Sequence, residues 1–257
     1  MPADLALAIE AARAAGDVVM KSFRTDQHVS YKSPDQPLTA ADLAADALIK
    51  SVLLDNRPAY GWLSEETADT AARLERTHVW VVDPIDGTRS FVAGRAEFAI
   101  SIGLAVEGVA VLGVVYNPAT DELFTAVGGG GARAGDRRLR ITAERRRSVI
   151  AASRSEIGRG DFESFVEDYD LLPTGSTAYK LARVAAGEAD IFLSRGPKAE
   201  WDLCAGALIV AEAGGMVTDL AGHALQYNRP DPHITGVLAA RAGLHAEMLR
   251  RIRGTGK

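Results

Sequence analysis

A single cysteine, Cys204, is present in the 257 residues, which rules out an intramolecular disulfide and a thiolate-based zinc centre. A reducing, cytoplasmic setting is expected. Basic excess is also lacking: 29 Lys and Arg stand against 34 Asp and Glu, a formal net charge of -5, so neither a nucleic-acid polymer nor an anionic membrane is drawn by charge alone. No run approaches the ~18 continuous apolar residues of a membrane span. The opening MPADLALAIEAARAAGDVVMKSF carries acidic residues early and apolar residues at helical spacing, so a first helix is expected and not a signal peptide. No histidine motif, internal repeat or long disordered tract occurs. What is present is an ordinary globular composition, 47% apolar and 25% charged, in a length that suits one large or two modest domains. A small phosphorylated partner is compatible with all of these absences.

The hydrophobic period predicts a long amphipathic helix over residues 5–23. A short strand and loop follow over 29–39, and then a second helix capped by Thr39, whose hydroxyl is expected to accept from the first amides, with Asp42 in its first turn. HVWVVDPIDGT reads as a buried strand running into a Pro-Gly turn, and TRSFVAG as the start of a helix. Residues 98–141 alternate apolar runs with Gly, Asn-Pro and Asp, the pattern of an antiparallel meander. Within it Gly128 to Gly131 invites a phosphate-loop reading, but no Gly-Lys-Ser/Thr follows, and a flexible hairpin is expected. The basic run ERRRS at 144–148 reads as a solvated linker.

Beyond that run, strands and helices alternate. SVIAASR is a strand, residues 162–169 a helix, STAYKLARVAAGEAD a helix, IFLSRG a strand, EWDLCAGALIVAEAGG a helix, and MVTDL and TGVLAA strands. The fold class expected is α/β, with an α+β N-terminal part over 1–143 and an α/β C-terminal part over 144–257.

Five acidic residues, Asp42, Glu65, Asp83, Asp86 and Asp202, each stand at the start or end of an expected element, where loops converge. Taken singly, Asp42 and Asp202 suit helix caps, and Glu65 and Glu66 suit a solvated surface. Asp83 differs, because the apolar run 79–82 puts a strand interior directly before it, and a carboxylate there must be hydrogen-bonded or paired with a cation. Several carboxylates in one cleft repel each other unless a cation holds them. With no Cys or His ligand set, a hard ion bound through oxygen is expected, Mg²⁺ first. Such ions serve in-line phosphoryl displacement, and Gly87 and Thr88 at a helix start can meet the phosphate.

The ordered set Asp42, Glu65-Glu66, Asp83-Pro84-Ile85-Asp86-Gly87-Thr88, Trp201-Asp202 and Gly214-Gly215 resembles the signature of the Mg²⁺-dependent, lithium-sensitive phosphatases that include inositol monophosphatase. The resemblance spans nearly the whole chain. It implies a layered αβαβα fold, a homodimer and two or three Mg²⁺ per site. It also implies that Glu65, Asp83 and the Ile85 carbonyl hold one metal, that Asp83, Asp86 and Asp202 hold another, and that Asp42 helps bind a further, weaker one. In this reading Asp42 orients the Thr88 hydroxyl toward the attacking water, Glu65 shares in activating it, and the Gly87 and Thr88 amides meet the phosphate.

On substrate, LSEE, the segment 29–46, AASRSE and Lys180 look most like the bacterial 3'(2'),5'-bisphosphate nucleotidases, where a cation at Lys180 would meet a second phosphate. Lys180 equally suits an exposed helix position. Arg195, Lys198 and Glu200 fall where such enzymes vary with substrate, and Trp201 suits packing that fixes Asp202. Inositol monophosphatase, then a sugar bisphosphatase, are the alternatives. A non-catalytic nucleotide- or metal-binding regulator is the reading from another class.

Overall fold

The computed structural model describes residues 1–25, 29–33, 36–141 and 146–254. The expected boundary between 143 and 144 lies outside the described residues, as do Glu144 and Arg145 of the basic run. The chain forms α1 (Pro2–Ser22), β1 (Val29–Ser33), β2 (Gln36–Thr39), α2 (Ala40–Asn56), β3 (Gly61–Ser64), β4 (His78–Asp86), α3 (Thr88–Val92), β5 (Ala99–Val106), β6 (Val109–Asn117), β7 (Glu122–Val127), β8 (Gly131–Ala134) and β9 (Arg137–Arg138). It continues with β10 (Val149–Ala152), α4 (Arg154–Gly158), β11 (Asp170–Pro173), α5 (Thr177–Ala185), β12 (Ile191–Ala199), α6 (Glu200–Glu212), β13 (Gly215–Asp219), β14 (His233–Arg241) and α7 (Ala242–Gly254).

Five layers result. Alternate residues of a strand face opposite sides, and β4 shows the division: Trp80 and Val82 pack with Ala8, Ala12, Ala45 and Ile49 of α1 and α2, whereas Val79 and Val81 pack with Leu181, Leu203 and Ile209 of α5 and α6. The seven-stranded sheet runs β3-β4-β5-β6-β7-β8-β9, antiparallel throughout except for the parallel β3–β4 pair. The second sheet runs β11-β10-β12-β14-β13. Its inner face, with Ala151, Phe192, Val237 and Ala239, shares the α5–α6 layer. Its outer face, with Ile150, Leu193 and Leu238, is covered by Phe162, Phe165 and the α7 residues Leu244 and Met248. The layered αβαβα arrangement read from the resemblance is the observed one.

The α6 helix lies close to the first sheet because two glycines, Gly103 and Gly113, face each other across β5 and β6. A Cβ on Gly103 would stand 2.5 Å from Cys204 Sγ, and one on Gly113 would stand 2.6 Å from the Ala205 carbonyl oxygen. Their missing side chains form the groove that seats α6, and α6 carries Asp202 in its first turn.

Some local expectations hold and others are corrected. Within the expected strand and loop, Val29–Ser33 and Gln36–Thr39 form two paired strands. Thr39 caps α2 as expected, in a capping box with Asp42, and its hydroxyl also donates to Asp42 at 2.6 Å. A 3-10 turn, Glu163–Phe165, replaces the helix expected at 162–169, and the short β11 and α4 and the charged C-terminal α7 were not anticipated. The glycine turn between β7 and β8 is tethered: Glu212 of α6 accepts from the Gly129 and Gly131 amides at 2.8 and 2.7 Å. Arg147 of the basic run is exposed, as expected for a solvated segment, and pairs at the surface with Asp170 at 2.7 Å and with the Val166 carbonyl. No described helix is long and apolar enough to cross a membrane.

Candidate active site

The β4 strand delivers the first carboxylates. Its register against β5 shifts between Asp83 and Asp86, where Pro84 has no amide hydrogen to give to the ladder. Such a bulge re-aims side chains. Asp83 and Asp86 thus leave the same strand end and face one cavity of about 400 Å³, lined also by Glu65, Gly87, Thr88, Lys180 and Asp202. Gly87 turns the chain there with φ +94°, a conformation that suits glycine, and a Cβ would lie 2.9 Å from the Glu97 carbonyl oxygen.

Glu65, Asp83 and Asp202 each bring one carboxylate oxygen within 4.8 Å of the others. Asp83 is 1% exposed. Burial raises its pKa well above the usual carboxylate range, and the charges of Glu65, Asp86 and Asp202 raise it further. Burial, with Asp86 and Glu65 nearby, likewise pushes Asp202 up to about 8. Buried carboxylates that destabilise one another in this way form an all-oxygen donor set suited to a hard divalent ion. Asp86 stands on the same cavity but is partly engaged: its Oδ2 accepts from the Ser176 hydroxyl at 2.6 Å and from the Ala178 amide at the start of α5. Burial raises its pKa, and those hydrogen bonds partly offset the rise. The Asp83 Oδ1 accepts from the Ile85 amide at 3.0 Å, and the Ile85 carbonyl oxygen lies 3.0 Å from Thr88 Oγ1.

Asp42 is at once a cap and a site residue. Its Oδ2 takes the amide and hydroxyl of Thr39 at 2.8 and 2.6 Å, which leaves Oδ1 to accept from the Thr88 hydroxyl at 3.2 Å. Asp202 is similar, with Oδ2 accepting from the Ala199 amide at 3.1 Å while the side chain lines the cavity.

Glu65 and Glu66 are not the solvated pair their sequence suggested. Lys32 of β1 reaches across to bond Glu65 at 2.8 Å and Glu66 at 2.6 Å. Burial raises Glu66 to about 7 despite that lysine. The segment carrying Glu65 is gripped from α2: the Ser64 and Thr67 hydroxyls both donate to Asp46. Neither Lys32 nor Asp46 was singled out in the sequence, because no local pattern tells a residue that its partner lies some twenty or thirty positions away.

On the C-terminal side Lys180 is 1% exposed, so the exposed-helix reading fails. Its Nζ lies 3.3 Å from Glu156 Oε2 and 5.3 Å from the Phe192 ring centre. Burial lowers its pKa, with the Glu156 charge opposing that. Burial alone would raise Glu156, but Lys180, Lys198 and the Ser153 hydrogen bonds hold it at about 2. Glu200 is fully buried and accepts from the Asn228 and Arg229 amides at 2.6 and 3.0 Å, so it anchors that loop instead of facing substrate. Trp201 packs against the central core and edge-on to His233, while Ser101 holds its carbonyl at 3.1 Å. That packing fixes the residue beside Asp202.

The profile of the inositol monophosphatase family matches residues 3–255. The chain belongs to that family. It is 40% identical over 226 residues to a Rhizobium meliloti protein named inositol-1-monophosphatase, covering 83% of this chain and 84% of that one. It is also similar to the solved extragenic suppressor protein suhB from Bartonella henselae, with TM-score 0.84 and 34% identity over 96% of this chain and 97% of that one. A third likeness is to CysQ from Bacteroides thetaiotaomicron, described as a bacterial member of the inositol monophosphatase family, with TM-score 0.78 and 30% identity over 93% and 97% of the two chains. Members of this family are metal-dependent phosphatases, and the chain is a phosphatase acting on small phosphorylated substrates.

Proposed function

We propose that the chain is a Mg²⁺-dependent phosphomonoesterase whose preferred ester carries a second phosphate, with adenosine 3',5'-bisphosphate, hydrolysed to AMP and orthophosphate, as the first choice. The observation that carries the substrate class is the division of the cavity: beyond Glu65, Asp83, Asp86 and Asp202, its charged lining is cationic, Arg89, Arg95, Arg154, Lys180 and Lys198, of which Arg154 is paired with Glu97 and Lys180 with Glu156. Cations match a second phosphate, whereas a neutral polyol offers them only hydroxyls.

Glu65, Asp83, Asp86, Asp202 and the Ile85 carbonyl would hold two or three Mg²⁺, which supply charge neutralisation and a nucleophilic water when bound. The Thr88 hydroxyl has one proton and two acceptors, the Ile85 carbonyl at 3.0 Å and Asp42 Oδ1 at 3.2 Å; given to either, it leaves the Thr88 oxygen a lone pair to accept from the attacking water and orient it. Glu65 shares in accepting the proton. The Gly87 and Thr88 amides orient the phosphoryl group. Because α3 has only five residues, these contacts act as individual amides and not through a long helix dipole. Water oxygen forms the new bond to phosphorus as the bond to the alcohol oxygen breaks, and no phosphorylated side chain intervenes. Lys180, in the wall beyond Asp86, is 1% exposed and paired with Glu156 at 3.3 Å. The assembly we propose is a homodimer, in the cytoplasm, with lithium inhibiting at a Mg²⁺ position.

Inositol monophosphate is the second reading, favoured by the 40% identity to the protein named inositol-1-monophosphatase. Phosphate release from adenosine 3',5'-bisphosphate, inositol 1-phosphate and fructose 1,6-bisphosphate, measured side by side with Mg²⁺, tests both. Preference for inositol 1-phosphate replaces the first choice with the second. No release from any ester, with Mg²⁺ bound, favours the regulator.

A further inference from the structure

Lys198 occupies a position unlike that of any other cation in the site. It lines the main cavity and also a second one of about 200 Å³. This second cavity lies along the bulge in β12, where the register against β14 shifts between Ser194 and Pro197; its charged wall holds Arg195, Glu156, and Arg159 paired with Asp161 at 2.8 Å.

Lys180 and Lys198 share Glu156, but unequally. Glu156 Oε2 is saturated: it accepts the Ser153 amide at 2.9 Å, the Ser153 hydroxyl at 2.6 Å and Lys180 Nζ at 3.3 Å. Lys198 Nζ stands 3.9 Å from Oε1, beyond hydrogen-bonding reach, with its side chain 20% exposed against 1% for Lys180. Lys180 is the buried, committed partner of Glu156; Lys198, the more exposed of the two, lines both cavities, and its charge also acts on Asp202.

We infer that Lys198, and not Lys180, is the specificity-determining cation: it receives the second phosphate of a bisphosphorylated substrate at the junction of the two cavities, while Lys180 is a positioning residue that holds Glu156 in place. This rests on the phosphatase reading above and adds to it which side chain selects the substrate. A flexible ammonium with unused donors suits a phosphate that arrives from solvent, and the wholly buried Lys180 would have to abandon Glu156 to do the same.

The test uses matched substrates that differ only in the second phosphate, adenosine 3',5'-bisphosphate against adenosine 3'-monophosphate, with fructose 1,6-bisphosphate against fructose 1-phosphate as a second pair. In the wild type kcat/KM favours the bisphosphate member of at least one pair by tenfold or more. In Lys198→Met that ratio collapses to within threefold, through KM for the bisphosphate, with the thermal midpoint kept. In Lys198→Arg most of the preference returns. A ratio unchanged in a folded Lys198→Met, or a wild type that turns over esters without preferring a bisphosphate, overturns the assignment while leaving the phosphatase reading intact. A wild type that releases phosphate from no ester overturns both, and the two failures are told apart by whether phosphate appears at all.

Discussion

On one wall of the cavity Asp83, Asp86 and Asp202 are buried beside one another and beside Glu65, and every shift in their protonation is upward. Beside the cavity's Lys180 and Lys198, Glu156 is buried with those two lysines and the Ser153 cap, and its shift is downward. The same physical operation, burial of a carboxylate, thus has opposite results according to what is buried with it. The acidic wall opposes folding in the metal-free protein and is suited to a ligand that brings positive charge; the basic wall stabilises the fold through its own pairing.

The sharpest way to break this contrast is to remove a carboxylate from the acidic wall. Asp83→Asn should lower phosphate release by about a thousandfold or more, the several kcal/mol of charge stabilisation a catalytic ion supplies. The thermal midpoint in EDTA should equal or exceed that of the wild type, because repulsion is relieved. Retained turnover would sink the metal assignment. In the wild type Mg²⁺ should raise the midpoint, and EDTA should reverse the gain. Next in size is Thr88→Val, expected to reduce kcat by about a hundredfold with KM nearly unchanged, since the hydroxyl acts on the nucleophile; steady-state kinetics on the preferred ester decides it.

The basic wall should answer in stability. Lys180→Met leaves Glu156 buried without its close partner and should cost about 3 kcal/mol by urea denaturation, the reverse of the outcome for Asp83→Asn. A smaller effect is pH dependence. Glu156 is held at about 2, below its ordinary 4.5, so its contribution is complete above pH 4.5 and is lost as the pH falls toward 2. Stability measured across that window should be flatter in Glu156→Gln than in wild type. The smallest effect expected is a control remote from both walls: Glu212→Ala, which frees the Gly129 and Gly131 amides, should cost about 1 kcal/mol and leave turnover unchanged.

The acidic wall was legible in the sequence because strand and helix ends mark themselves locally. The apolar run before Asp83 announces a buried strand end, DPIDGT announces the turn, and Thr39 followed by Asp42 announces a helix start. Element order, the meander and α5 and α6 were readable for the same reason, since hydrophobic period is a property of neighbouring residues. What the sequence left unread were the short segments whose state depends on contacts, β11, α4 and the 3-10 turn near Phe165, and the charged α7.

The tertiary structure alone decided which charges meet. Lys32 finds Glu65 and Glu66, Asp46 grips the Ser64–Thr67 segment, Asp86 caps α5 from the neighbouring strand, and Glu156 is shared by two lysines. Residue type and spacing determine that carboxylates stand at element ends; they do not determine the distance between those ends. That distance depends on how closely α6 seats over Gly103 and Gly113, and so on packing between segments a hundred residues apart.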